Sequence, residues 1–308
     1  MKKKPFGKTD LEVAAISFGG ASLSGEGGGY GFGEVDESRA EELIKKSWEL
    51  GINLFDTAPI YGFGLSEERL GKYLPREALV VTKGGVHWHS TKRVNMTNEP
   101  KIIEEMLHAS LKRLKREQVD VYMIHWPDPR VDIRRPIEVL TKAQEQQKIR
   151  FIGLCNTNLQ DLKLATSITR IDVIQSQYNA FTTQNYHDLN PWLTEHQAAF
   201  MSWGTFDKGI LTGRVTPSRQ YEASDARSWA PWWKDQPLEQ KLKRVEKLKK
   251  YFEKHELNLE EAAIGFQLHS STVSTMLIGW KKPQDVISSL IALKKVEEIS
   301  PDIFKDLP

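Results

Sequence analysis

Eight short apolar runs, rich in β-branched residues and separated by longer stretches of helical spacing, constrain this chain more than any other feature. They span residues 13–18, 53–57, 79–83, 120–125, 151–156, 173–178, 199–203 and 275–279. Most are nearly continuous in apolar residues, as strands buried on both faces are. The stretches between them carry helix signals. Asp36 or Ser38 can cap a helix over 39–50, with Gly51 past its end. Ser66 and Glu67 open a helix over 67–73. Asn98 caps one over 101–114, with Pro100 early in it. Arg135 and Pro136 open 137–146, Asn158 caps 159–167, and Asn258 with Glu261 matches a capping box before 259–269. Further helices are expected over 191–196, 238–254 and 283–293.

A strand–helix unit repeated eight times has two main solutions, a closed eightfold barrel and an open doubly wound sheet. The open nucleotide-binding sheet usually carries G-x-G-x-x-G after its first strand, and phosphate-loop proteins carry G-x-x-x-x-G-K-[ST]. Neither spacing occurs. The predicted fold is therefore α/β, a (β/α)8 TIM barrel. No linker rich in Pro, Gly or Ser divides the 308 residues. Barrels of roughly 250 residues or more form one unit, so residues 1–308 are expected to be a single domain.

The charge balance narrows the class. Lys and Arg number 43 against 41 Asp and Glu, a formal net charge of +2. A nucleic-acid binder concentrates basic charge on one face, and the densest basic stretch, 241–254, is interrupted by Glu246 and Glu253. It reads as a solvated helix face. Apolar residues make up 39% of the chain, and no run approaches the roughly 20 residues that cross a bilayer. The basic start, Met1 to Pro5, is followed by polar text where a signal peptide has its apolar stretch. The single cysteine, Cys155, excludes an intramolecular disulfide and a multi-cysteine zinc site. A cytoplasmic protein with no membrane and no nucleic-acid partner is expected.

Two segments, 22–35 and 205–237, are too long to be simple turns. Both leave carboxyl ends of strands, the catalytic face of a barrel. Polar residues at those ends are the informative ones. The second run ends in Phe55, Asp56 and Thr57, with Tyr61 soon after. The third ends in Thr82 and Lys83, and the fourth in Ile124, His125 and Trp126. Neighbouring barrel strands lie about 4.7–4.9 Å apart, so these groups can converge. Free tyrosine, with a pKa near 10, is a poor acid, and a nearby ammonium is expected to lower that value. An aspartate beside the lysine keeps it charged, and a histidine at the rim can orient a carbonyl oxygen. Such a set suits protonation of an oxygen that gains charge as hydride reaches its carbon.

These residues resemble the aldo-keto reductase family. The matching text is Gly51-Ile-Asn-Leu-Phe-Asp-Thr-Ala-Pro-Ile-Tyr61-Gly, then Ser66-Glu67, Leu70-Gly71, Val81-Thr-Lys83 and Asp120-Val-Tyr-Met-Ile-His125-Trp-Pro127. Lys148 to Asn156, Gln175 to Asn179 and Gly209 to Gly213 continue it, and the likeness runs from about Phe6 to Leu293. The resemblance implies an eightfold barrel whose floor is closed by a β-hairpin, here over 4–13. It implies hydride transfer from a nicotinamide cofactor, usually NADPH. It also implies Tyr61 as general acid, Lys83 tuning it, Asp56 holding Lys83 and His125 orienting the substrate oxygen.

Cofactor positions follow by the same resemblance. Asn156 and Gln175 match the side chains that bind the carboxamide. Trp203 stands where an aromatic ring meets the nicotinamide, or is simply a buried aromatic. Gly19 and Gly20 would let the first loop approach closely. The segment 277–285, with Gly279 and Asp285, resembles the adenosine-phosphate region. Lys281 and Lys282 there could meet a 2′-phosphate, which favours NADPH and leaves NADH as the alternative; they could equally be surface lysines. Three places depart from the family pattern. Cys155 replaces a serine, Gly204 to Lys208 replaces Ser-Pro-Leu, and Ser288-Ser289 replaces Glu-Asn, which either weakens the adenine contacts or leaves them to residues such as Gln284 or Asp285.

The substrate pocket is expected to draw on 22–35, 86–98, 127–134 and 205–237. Trp88, Trp126, Trp229, Trp232 and Trp233 could line it, and such walls suit an apolar or aryl carbonyl compound or the face of a sugar. Arg93, Arg130, Arg134 and Arg135 could bind an anionic group or face solvent. His87 and His89 flank Trp88 without a Cys or Asp partner, so no metal site is expected. The leading reading is an NADPH-dependent reductase of a small-molecule aldehyde or ketone. The alternatives are an NAD(P)-dependent sugar dehydrogenase and a cofactor-binding regulatory subunit with little turnover. Oligomeric state carries no sequence signal.

Overall fold

The computed structural model describes residues 1–25, 29–305 and 307–308. Eight parallel strands close on themselves in chain order: β3 (Ile16–Gly19), β4 (Leu54–Asp56), β5 (Leu79–Gly84), β8 (Val119–Ile124), β9 (Ile149–Cys155), β10 (Val173–Gln177), β11 (Ala199–Trp203) and β12 (Val273–Ile278), which pairs back with β3. Between them run α1 (Glu37–Glu49), α2 (Leu65–Tyr73), α3 (Pro100–Leu114), α4 (Arg134–Glu145), α5 (Leu159–Thr166) and α6 (Gln184–His196). They are followed by α7 (Pro231–Lys234), α8 (Leu238–Glu253), α9 (Leu259–Leu268) and α10 (Pro283–Val296). This is the expected (β/α)8 barrel. Apolar residues on alternate strand positions fall into two layers. One set, including Leu54, Val81, Val121, Met123 and Met201, fills the barrel axis. The larger set, including Phe55, Val80, Tyr122 and Ile152, packs outward against the helices.

An antiparallel hairpin of β1 (Lys3–Pro5) and β2 (Glu12–Ala14) closes the floor, as expected. Phe6, Leu11 and Val13 insert from it into the axial cluster, and Phe6 is fully buried. The first apolar run, 13–18, is thus divided between the floor and the barrel. Asn53 fixes the join by accepting from the Ala14 amide at 3.0 Å and donating to the Glu12 carbonyl at 2.7 Å.

The helix signals were right in part. Asp36 and Asn158 cap α1 and α5, and the Asn258–Glu261 capping box opens α9. Asn98 does not cap α3. Its side chain instead accepts from the Asp128 amide at 2.7 Å and donates to the Trp126 carbonyl at 3.1 Å, tying two loops at the barrel mouth. The helix expected over 191–196 begins at Gln184 and keeps Pro191 inside it. The proline forfeits one backbone bond, but buried Tyr186, Leu189, Trp192 and Leu193 hold the helix against the barrel. Segment 86–98, expected as a loop, contains a hairpin of β6 (Val86–Trp88) and β7 (Val94–Met96). Segments 29–35 and 205–237 pair across the mouth. Phe32 bridges Asp225, the Gly33 amide donates to Ser224 at 3.1 Å and the Ala226 amide to Gly31 at 2.8 Å. Residues 26–28 of the first long loop lie outside the described residues. Among the described residues, no helix is long and apolar enough to cross a membrane.

Candidate active site

The barrel register brings the four proton-handling side chains together. Asp56 ends β4, opposite Gly19 of β3 and Val81 of β5, and Lys83 lies two residues on, so its side chain shares the axial face with Val81. The Lys83 ammonium donates to Asp56 Oδ1 at 2.6 Å and to the Thr57 carbonyl at 2.9 Å, and Lys83 is fully buried. Its Nζ sits 5.4 Å from the centre of the Tyr61 ring. The Tyr61 and His125 rings meet edge-on, with centres 5.8 Å apart and planes 87° apart.

The electrostatics differ from the sequence expectation. Burial raises the Tyr61 phenol well above its ordinary value, and the Lys83 charge offsets this only in part. The phenol is therefore protonated at neutral pH. Burial acts against the Lys83 charge too, but the net shift is upward, with the Asp56 carboxylate the largest opposing cause, and the ammonium keeps its charge. Burial, reinforced by Lys83, keeps His125 well below the usual histidine range and hence neutral.

The turn that carries Tyr61 is tightly held. Tyr61 donates its amide to the Ala58 carbonyl at 3.0 Å. Gly62 has φ +67, and a Cβ there would stand 2.4 Å from the Ser24 carbonyl oxygen. Behind the turn, α2 turns polar residues inward. Ser66 Oγ accepts from Thr57 and donates to the Gly20 carbonyl, both at 2.9 Å. Glu67 is fully buried, accepting from Thr82 Oγ at 2.5 Å and from Arg113 at 2.6 Å. Ser66 and Glu67 both stand in the first turn of α2, where their sequence places a helix start. They brace the ends of β4 and β5 next to Asp56 and Lys83. Their adjacency to Tyr61 in sequence was the available signal.

A cavity of about 890 Å³ opens at this end of the barrel. It is lined by Asp56, Tyr61 and His125, and also by Gly19, Asn156, Gln175, Trp203, Gly279, Lys281 and Asp285. Lys83 lies behind this lining. Gly20, Lys282 and Trp88 do not contribute to it either. A Cβ on Gly20 would meet the Asp56 carbonyl oxygen at 2.4 Å, so this glycine serves strand packing. Lys282 is exposed ahead of α10. Trp88 packs edge-on against Phe63, with ring centres 5.5 Å apart. Trp126 and Trp232 line the cavity. Trp229 packs on Tyr30 and Trp233 on Tyr221. Arg130, Arg134 and Arg135 pair with Asp128, Asp132 and Glu99 instead of facing the cavity.

The cavity lining has two chemical characters. Near Tyr61 the groups are amides and an indole. Gln175 donates to Asp56 Oδ1 at 2.7 Å and accepts from the Cys155 thiol at 3.3 Å. Asn156 accepts from the Trp203 indole at 3.0 Å. Burial pushes the Cys155 thiol up to about 12, so it is a weak donor and no nucleophile. From the segments after β11 and β12 the lining also gains Lys208, Arg214, Arg219, Arg227 and Lys281, of which Lys208, Arg214 and Arg227 pair with Asp207, Glu260 and Asp225. Burial brings Lys281 down to about 8, and its ammonium donates to the Gly33 carbonyl at 2.6 Å. A volume near the upper range of ligand pockets, amide-recognising groups beside the acid and cations from those later segments fit a dinucleotide. The β12 loop supports this fit. A Cβ on Gly19 would lie 3.2 Å from the Gly279 amide nitrogen, so two glycines leave the backbone open there.

A closed eightfold barrel with an Asp–Tyr–Lys–His cluster at its carboxyl end defines a class of carbonyl oxidoreductases. The chain belongs to the aldo/keto reductase family, whose sequence model matches residues 15–307. These are NAD(P)H-dependent enzymes of carbonyl reduction. The chain is 31% identical over 247 residues to aldo-keto reductase YhdN of Bacillus subtilis, spanning 79% of this chain and 73% of that protein. It is 28% identical to an NADH-specific methylglyoxal reductase of Escherichia coli, covering 95% of this chain and 94% of that one. The structure superimposes on glycerol dehydrogenase AKR11B4 from Gluconobacter oxydans with a TM-score of 0.83 at 27% identity, covering 99% of this chain and 95% of that one.

Proposed function

We propose that this protein is an NADPH-dependent reductase of uncharged aldehydes or ketones with an apolar or aryl body. The observation that carries this reading is the Tyr61 hydroxyl group's setting. The ring that carries it stands near a buried ammonium and a neutral imidazole, at the wall of a cavity lined also by Tyr30, Ile60, Val86, Val94, Met96 and Trp126. Those sides offer a polyol few partners, and an unpaired buried hydroxyl is costly. Among the described residues, those sides hold no cation for a carboxylate.

When bound, the dinucleotide supplies hydride to the carbonyl carbon. Asn156 and Gln175 would hold its carboxamide, Trp203 would lie against its ring, and Lys281 and Asp285 would hold its adenosine end. Tyr61 donates its proton to the carbonyl oxygen as charge develops there. Lys83 stabilises the phenolate left behind, and Asp56 keeps Lys83 charged and in place. Neutral His125 donates a hydrogen bond to the same oxygen, which strengthens as that oxygen becomes an alkoxide.

NADPH oxidation with 4-nitrobenzaldehyde tests the reading directly. Turnover is expected for the parent. Tyr61→Phe should lose about a hundredfold or more in kcat, with NADPH affinity by calorimetry retained. Equal turnover by both would remove Tyr61 as the acid. Faster turnover with an aldose and NAD than with the aryl aldehyde would reverse the substrate class and direction.

A further inference from the structure

The turn after β11 is strained. Asp207, Lys208 and Gly209 take φ values of +42, +57 and +102 in succession. Two of these residues carry a Cβ, for which such a conformation is strained. It persists only where the surroundings over-determine it, and here they do. Arg227 donates to the Lys208 carbonyl at 2.9 Å. The Lys208 ammonium lies 5.4 Å from the centre of the Trp232 ring.

At the centre is Asp207, fully buried, a carboxylate between two ammonium groups. Its Oδ2 accepts from Lys241 of α8 at 2.6 Å, and its Oδ1 stands 3.5 Å from Lys208 Nζ. Gln177 also approaches Oδ1, at 3.4 Å. The unequal distances matter. Lys241 is the near partner and Lys208 the far one. Lys208 lines the cavity, whereas Lys241 and Asp207 do not. Two positive charges share one negative, so the cluster is one anion short on its cavity side. Burial also lowers the Lys208 pKa, as it does for an ammonium short of a counter-charge.

We propose that Lys241 is a positioning residue for dinucleotide binding: by occupying Asp207, it keeps the Lys208 ammonium turned to the cavity, where it meets the dinucleotide's diphosphate. This rests on the dinucleotide reading of the cavity given above. Without Lys241, Asp207 draws Lys208 from its present long contact of 3.5 Å into a close pair, and the cavity loses charge although no lining residue has changed. The diphosphate is common to both dinucleotides, so the effect does not depend on the 2′-phosphate.

The test is the dissociation constant of NADPH and of NADH, each titrated by tryptophan fluorescence quenching. The proteins are the parent, Lys241→Met, Lys241→Arg, Lys208→Met and the Lys208→Met/Lys241→Met double variant. Lys241→Met should weaken both dinucleotides by about tenfold, the size of one charge-assisted hydrogen bond. The loss should fall on the cofactor KM rather than on kcat, and Lys241→Arg should restore most of it. In the Lys208→Met background, Lys241→Met should add less than about twofold, because the two residues act as one unit. Parent-like binding by Lys241→Met would overturn the proposal. So would an undiminished effect of Lys241→Met in the Lys208→Met background, since Lys241 would then act on the fold alone. If the parent binds neither dinucleotide, the functional reading falls and this proposal with it. If the parent binds and Lys241→Met binds equally, only the role of Lys241 falls.

Discussion

Tyr61 shows how burial and charge compete at a single hydroxyl. Lys83 pulls the phenol pKa down, burial pushes it up, and burial wins. The resting enzyme thus holds its proton, and Lys83 acts chiefly once that proton has gone. Lys281 presents the opposite case, because burial brings a cation towards neutrality at about 8. Its charge is full well below that pH and lost above it. NADPH affinity should therefore weaken between pH about 7 and about 9 as Lys281 deprotonates, and NADH affinity should change less. Titrations of both dinucleotides across that range check this, and Lys281→Ala should abolish the difference in pH dependence. A matching slope for both dinucleotides would separate Lys281 from the 2′-phosphate.

At the scale of elements, the turn between β4 and α2 governs the position of the acid. Gly62→Ala places a methyl group against the Ser24 carbonyl and asks alanine for φ +67. The expected result is a kcat loss of about tenfold or more, since small misplacement of a reacting group is costly, with NADPH binding retained. Single-turnover kinetics and calorimetry on the same protein would show it.

This scale also explains what was legible in the sequence. Apolar runs report burial, and burial on both faces reports a parallel strand, so the eight barrel strands were readable. The order Asp56, Tyr61, Lys83, His125 was readable because each residue sits at or just beyond a strand end. Pairings between residues distant in the chain were not. Asn98 looks like a cap by its neighbours, yet it bonds Asp128. Glu67 looks like a helix start, yet Arg113 and Thr82 surround it. Pro191 looks like a first-turn proline, and only packing by residues on both sides of it carries the helix through. Asn98 and Pro191 have their local signals overridden, whereas Glu67 does stand in the first turn of α2 and gains partners that no spacing rule names.

At the scale of the whole molecule, segments 29–35 and 205–237 pair across the cavity. Phe32 ties them, with its ring 5.4 Å from the Arg227 guanidinium and 6.5 Å from Trp232. Phe32→Ala should speed NADPH release several-fold, by about the factor that about 1 kcal/mol of lost aromatic and cation–π contact sets. Stopped-flow displacement would measure it. An unchanged off-rate would mean that the paired segments do not hold the dinucleotide.

The floor hairpin has a consequence at the opposite end. Phe6, Leu11 and Val13 seal the axis beneath Asp56 and Lys83 with hydrocarbon. Among the described residues, the side chains that fill the axis from below are apolar, so the barrel resembles a flask open at one end. A Tyr61 that has given up its proton must be reloaded through the neck, the same passage the product alcohol leaves by. Traffic of protons and traffic of product share one door, and each turnover ends only when both have passed.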